Sequence, residues 1–239
     1  MISDQLSSNA RIILRESVGS FAELFVTIEE IAVEAGAMVR AGRTDGGMIA
    51  PTCVEDIGGF VRDRLARHAA SAAGMGIVVA PRHVDGGVGC IHWLWHNGDG
   101  VPTRLLVNLD PADTSYFDYT STPWFRAAER GESRAATGPY IDYICSNEFV
   151  VTLTVPVYVD QRFYGVAAAD VRADAIERLL VARLGGFSVP LVVVNAEFQV
   201  ISSNDPARVA GDRIARRVLG TTLAQDAELG WSVRCLRCR

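Results

Sequence analysis

Two pairs of alternating segments constrain the fold of this chain more than any other feature. Val88–Asn97 and Thr103–Leu109 flank the turn Asn97-Gly98-Asp99-Gly100, and Phe149–Tyr158 and Arg162–Asp170 flank Asp160-Gln161. In Val88–Asn97 the pattern repeats every second residue, the period of an extended strand, and the other three segments read as strands beside their turns. Strands joined by a short turn pair antiparallel, because a parallel partner needs a long crossover. In the first pair Cys90, His92, Leu94 and His96 face one way, and Ile91, Trp93 and Trp95 face the other.

Other elements attach to this sheet. Met75–Ala80 reads as a short strand, and Asp85-Gly86-Gly87 as a turn. Pro190–Asn195 and Phe198–Ser203 predict a further hairpin around Ala196-Glu197, with Trp231–Leu236 as a last strand. Phe21, Leu24, Phe25, Ile28, Ile31, Ala32, Ala35 and Val39 recur at spacings of three and four, predicting a long helix over 17–41. Thr52-x-x-Glu55 fits a capping box and predicts a second helix to about Ala73, although Gly58-Gly59 argues against it. Pro123–Arg130 and Ala173–Leu184 read as helices, and Asn204 or Asp205 is placed to cap another that reaches Leu219. The fold class is therefore α+β: helices on an antiparallel sheet in residues 1–184, and a smaller α/β module in 185–239 beyond Gly185-Gly186.

Composition removes several functions. All 23 basic residues are arginine, so a Schiff-base lysine, a lysine general base and the P-loop lysine are impossible. A net charge of −5 gives no basis for general nucleic-acid affinity. No apolar run reaches the roughly 18 residues that predict a membrane span. The N-terminus lacks the basic-then-apolar order of a signal peptide, so the five cysteines are expected to be reduced thiols in a cytoplasm.

The unusual chemistry gathers in residues 116–170, where aromatics lie beside lone carboxylates. Thr122-Pro123-Trp124-Phe125-Arg126-Ala127-Ala128 is followed by Gly138-Pro139-Tyr140-Ile141-Asp142, then Val151-Thr152-Leu153-Thr154-Val155-Pro156-Val157 and Gly165-Val166-Ala167-Ala168-Ala169-Asp170. In order and spacing this resembles the Cache family of sensory domains, relatives of the PAS fold. The resemblance implies a PAS-like sensor of double-Cache type, with its ligand pocket in the larger module and a reduced second module after residue 185. In amino-acid-binding members an arginine and a tryptophan hold the ligand carboxylate, and two aspartates hold its ammonium. Carried over, Trp124, Tyr140, Asp142 and Asp170 are present. Thr122 stands at the arginine position, Phe125 replaces the paired tyrosine, and Phe117 takes an upstream tyrosine position.

The resemblance thus implies a site with its ammonium-binding half kept and its carboxylate-binding cation missing. Two acids beside Trp124, Tyr140 and either Trp93 or Trp95 favour a cation, each well-placed ring adding roughly 0.5–2 kcal/mol. An amine or other cationic metabolite is the first expectation and an amino acid the second; Arg104 or Arg126 would revive the latter by supplying a cation. Each of these residues also has a plainer reading: Asp142 and Asp170 as surface carboxylates, Trp124, Trp93 and Trp95 as core aromatics.

No metal or cofactor is expected. Cys90, His92 and His96 lie on one strand face, where each two-residue step spans about 6–7 Å, which suits tetrahedral zinc poorly. Cys235-x-x-Cys238 is half of a zinc or redox motif with no second pair. Without a recognisable nucleophile motif or dinucleotide fingerprint, the expected function is a non-enzymatic small-molecule sensor. It would act as a homodimer through the N-terminal helix and serve a separate regulator. The alternatives are an enzyme using the Asp142/Asp170 pair, a DNA-associated regulator using the basic helix face of Arg208, Arg213, Arg216 and Arg217, or a structural dimerisation module.

Overall fold

The structure is a computed structural model that describes residues 2–19, 21–96, 101–144 and 146–237. Its centre is a six-stranded antiparallel sheet of β1 (Ala72–Val79), β2 (Cys90–His96), β3 (Pro102–Arg104), β4 (Ala135–Ile141), β5 (Phe149–Val159) and β6 (Arg162–Arg172). The spatial order is β3-β2-β1-β6-β5-β4, with β1 and β6 adjacent at the middle. The β5–β6 turn holds Asp160 and Gln161 at φ of 49° and 63°, the left-handed pair that suits the twist of a two-residue hairpin.

Period-two alternation gives the sheet two different faces. Met75, Ile77 and Val79 of β1, Val151, Leu153 and Val155 of β5, and Ala167, Ala169 and Val171 of β6 point to one side. There α2 (Ala22–Gly42) and α3 (Gly58–Arg67) cover them with Leu24, Phe25, Ile28, Ile31, Val39, Val61 and Leu65. The opposite face carries Val78, Ile91, Trp93, Val166 and Ala168, and is covered by the segment after β3 and by α4 (Pro123–Glu129).

A smaller sheet of β7 (Leu191–Val194), β8 (Val200–Ser203), β9 (Leu219–Gln225) and β10 (Ser232–Leu236), in the order β8-β7-β10-β9, follows α5 (Ala173–Leu184). It packs against α1 (Ile2–Gly19), whose Ala10, Ile13 and Leu14 share a core with Leu223, Leu229, Trp231 and Val233. Phe21 meets the edge of Trp231 at 5.6 Å between ring centroids.

Several sequence expectations are corrected. The N-terminal helix is two helices, with α2 beginning only at Ala22. The Thr52/Glu55 capping box does not form, because the Glu55 carboxylate is taken by Arg104 instead. Residues 51–57 are turns, α3 starts at Gly58, and it stops at Arg67, so Gly58-Gly59 lies in the first turn. The strand expected over 103–109 ends at Arg104; beyond it Leu105, Val107 and Leu109 pack across the sheet face. The helix expected from Asn204 to Leu219 is an irregular segment with a short 3-10 turn at Arg216–Val218, which leads into β9. Its basic helix face therefore does not exist. The expected turn at 97–100 lies outside the described residues.

Candidate functional site

The sheet face opposite α2 and α3 is built to leave room. Across neighbouring strands the register aligns Trp95, Gly74, Asp170, Thr152 and Thr137 in one row, and Trp93, Gly76, Ala168 and Thr154 in the next. A Cβ on Gly76 would lie 2.2 Å from the His92 carbonyl, and one on Gly74 would lie 2.6 Å from Trp93 Nε1. Only glycine lets the Trp93 indole lie against β1. Small residues at the floor and large aromatics at the walls leave a cavity of about 280 Å³.

The cover is pinned by hydrogen bonds. Tyr119 donates its hydroxyl to the Val79 carbonyl at 2.6 Å and is fully buried. Asp118 caps the next turn by accepting from Thr120 N and Oγ1. Thr122 caps α4, accepting from Phe125 N while donating to the Tyr119 carbonyl at 2.6 Å. Pro123 then occupies the first helical position, where its missing N–H costs nothing. Successive helical residues diverge by about 100°. Trp124 accordingly faces the cavity, while Phe125 packs against Tyr119 and Phe163.

Of the expected site residues, Trp93, Phe117, Thr122, Trp124, Tyr140, Asp142 and Asp170 line this one cavity. Phe125 is a core residue with no exposed surface, and Trp95 packs at the edge of the same aromatic cluster without lining the cavity. Neither candidate arginine reaches it. Arg104 is held by both Glu55 oxygens, and Arg126 donates to the Thr120 carbonyl at 2.8 Å. Among the described residues no arginine or histidine lines the cavity. The sequence reading missed Thr152, Leu105, Tyr143 and Ile144. Thr152 had a signal, a hydroxyl on the alternating face of an otherwise apolar strand.

The two acids are held differently. Asp142 directly follows β4 and organises the loop there, accepting from Ile144 N and Ser146 N at 3.2 Å each. Asp170 is on β6, 6% exposed. It accepts from Thr152 Oγ1 at 2.5 Å, and Thr152 Oγ1 lies 2.5 Å from the Tyr140 hydroxyl. Burial, and then the nearby negative charge of Asp142, push the Asp170 carboxyl up to about 7, against a smaller downward pull from Thr152. The Trp93 indole N–H is buried with no hydrogen-bond partner among the described residues.

The apolar walls, an acid poised near neutral pH and a Tyr–Thr–Asp hydrogen-bond chain suit a small ligand bearing an ammonium. Elsewhere on the sheet, Cys90 donates to the Pro51 carbonyl at 3.0 Å, and His92 Nδ1 lies 3.8 Å from Glu55. Among the described residues no group of three or more His, Cys, Asp or Glu is arranged to hold a metal ion. Cys238 lies outside the described residues.

In comparison with known proteins, residues 60–178 match the family described as methyl-accepting chemotaxis protein-like, first PDC sensor domain. The methyl-accepting chemotaxis protein PscA of Pseudomonas syringae pv. tomato is 31% identical over 82 residues, which is 34% of this chain and 12% of that protein. Among solved structures, the ligand-binding domain of the Pseudomonas fluorescens chemoreceptor CtaA in complex with L-valine is similar over 98% of this chain and 95% of its own, with a TM-score of 0.58 and 13% identity. The ligand-binding domain of the Campylobacter jejuni chemoreceptor Tlp3 in complex with L-norvaline covers 86% of this chain and 72% of its own, with a TM-score of 0.50 and 12% identity. At these identities the structural likeness shows the fold.

Proposed function

Because the chain carries a PDC sensor domain of the Cache family at residues 60–178, we propose that its cavity receives a small amine with an apolar body, and an apolar amino acid as second choice. The observation that carries this reading is the acid pair Asp142 and Asp170 in a cavity with no lining arginine among the described residues. An ammonium would pair with Asp170 and lie beside Trp124 and Tyr140, whose ring faces attract cations. A carboxylate would meet two acids and no counter-charge.

The amino-acid reading has its own support. The buried indole N–H of Trp93 is a donor for one carboxylate oxygen. A relative of the same fold, CtaA, was solved with L-valine. The Thr122 hydroxyl, at the position expected for an arginine, is committed to the Tyr119 carbonyl and adds little.

We read the site as binding its ligand without turning it over. Asp170 is held by Thr152, and Asp142 by its own loop. Turnover of a bound amine that disappears in Asp142→Asn would overturn that. Dimerisation through the N-terminal helices is part of the proposal, supported by Val26 and Val33, which are exposed one above the other on α2. Sedimentation of a monomer at all concentrations would contradict it. A separate regulator as output partner and a cytoplasmic location also belong to this reading. The free thiols of Cys53, Cys90 and Cys235 support a reducing compartment. A fused reporter active only after export would count against it.

The cavity reading is tested by thermal shift with matched amines, amino acids and carboxylates. Amines should raise the midpoint most and carboxylates not at all; stabilisation by carboxylates alone would sink it.

A further inference from the structure

A second cleft lies on the small module, with about 520 Å³ of space among Pro190, Asp205, Arg208, Arg217, Val218, Leu236 and Arg237. The chain as a whole is acidic, yet residues 185–239 hold seven arginines against five acids. Most of what surrounds the cleft is fixed by backbone bonds. Leu236 N donates to the Pro190 carbonyl at 2.9 Å, Arg237 N to the Val218 carbonyl at 2.9 Å, and Arg208 N to the Asp205 carbonyl at 3.0 Å. The guanidiniums are thus carried on a framed rim.

Five of these seven arginines fall into two groups. Arg216 and Arg234 have partners: both guanidiniums lie over the Phe198 ring, and Arg234 donates to the Gly220 carbonyl. Arg208, Arg217 and Arg237 converge on the cleft, and among the described residues none of their side chains makes a hydrogen bond or ion pair. Arg208 Nε, like Arg234 Nε, is buried with no hydrogen-bond partner among the described residues. Leaving such a donor unmet is costly, so it marks a place for an acceptor. Among the described residues Asp205 is the one acid lining the cleft, and it already accepts from Ala207 N at 3.0 Å.

We propose that this cleft binds a phosphate monoester, with the phosphate held by Arg208, Arg217 and Arg237 and the organic part resting on Pro190, Val218 and Leu236. Planar guanidiniums present paired N–H donors that match phosphate oxygens, and three positive charges against one acid favour a dianion over a monoanion. The apolar side of the cleft asks for more than inorganic phosphate. The source is either a soluble metabolite or a lipid headgroup at a membrane surface, since both present the same group. This site does not depend on what the cavity in the large module binds.

The test uses the intact chain. Glycerol 3-phosphate is titrated calorimetrically, with sodium chloride at matched ionic strength as the control. Co-flotation with phosphatidylcholine vesicles containing phosphatidic acid is measured alongside. Wild-type protein should bind one or both, and Arg208→Gln and Arg217→Gln should each weaken binding by about tenfold or more, the worth of one charge-assisted hydrogen bond. Binding of glycerol 3-phosphate identifies a soluble source, and binding of the vesicles alone a lipid source. Asp170→Asn should bind as wild type does. Failure of both probes to bind the wild type, or equal binding by the arginine variants, overturns the proposal.

Discussion

The two faces of the six-stranded sheet are made from the same strands, yet they do opposite work. The face under α2 and α3 is filled with Met75, Ile77, Val151, Leu153 and Val155, and it supplies cohesion. The face under α4 replaces bulk with Gly74, Gly76 and Ala168 and inserts Thr152 and Asp170 among apolar neighbours. Alternation thus lets one strand serve both: on β5, Leu153 belongs to the core and Thr152 to the cavity. Stability should be concentrated on one face and recognition on the other, with Asp170 a net burden until a ligand arrives.

The comparison breaks if a core change and a cavity change have the same effect. Leu153→Ala should destabilise the chain by about 2–5 kcal/mol in chemical denaturation, as other buried leucines do. Its folded form should still bind the amine. Asp170→Asn should do the reverse. It should lose amine binding by about a hundredfold, since about 3 kcal/mol is at stake when one member of a buried charge pair is removed.

The pH dependence has a definite sign. Asp170 holds its proton more tightly in the folded chain, near 7 against an ordinary value of 3.8. Its contribution to stability is therefore fully present below about pH 4 and is lost as pH rises to about 7. Ligand-free Asp170→Asn should lack this decline and be more stable than wild type at pH 8. Amine affinity should move the other way, growing from pH 5 to pH 8 as the carboxylate forms. Identical stability profiles for the two proteins would remove the buried acid from the account.

The smallest effect concerns the link between the modules. Asn195 Nδ2 donates to the Gly138 carbonyl and Gln199 Nε2 to the Pro139 carbonyl, each at 2.8 Å. They grip β4 just before Tyr140 and Asp142, the cavity wall. Asn195→Ala should cost about 1 kcal/mol of stability. It should weaken ligand binding by a factor of a few, without altering its pH dependence. An unchanged affinity would mean that the small module does not steady the wall.

Much of this was legible from residue order. The hairpins followed from turn chemistry and strand-like segments, which are local signals, and the grouping of Trp124, Tyr140, Asp142 and Asp170 from the resemblance to the Cache family. What was missed depends on tertiary partners. Leu105, Val107 and Leu109 alternate like a strand, but they serve a segment that crosses the sheet face. Asn204–Leu219 has helix-like spacing, yet Leu219–Gln225 pairs with β10 and the preceding stretch loops to reach it. Leu6, Ala10, Ile13 and Leu14 form an apolar stripe whose value appears only once the small sheet is there to receive it. Phe125 was assigned by alignment to a motif, and the 100° turn per helical residue sends it into the core.

On the proposed reading the cavity selects its ligand by its acids, with no lining cation among the described residues. Isobutylamine, L-valine and isobutyrate share an apolar body and differ in charge. Calorimetric titration of each into wild type and Asp170→Asn at pH 8 separates these charges. The amine should bind tightest, valine more weakly and isobutyrate not at all, with amine binding lost in the variant. Binding of isobutyrate in preference to isobutylamine, or amine binding untouched by Asp170→Asn, would contradict it.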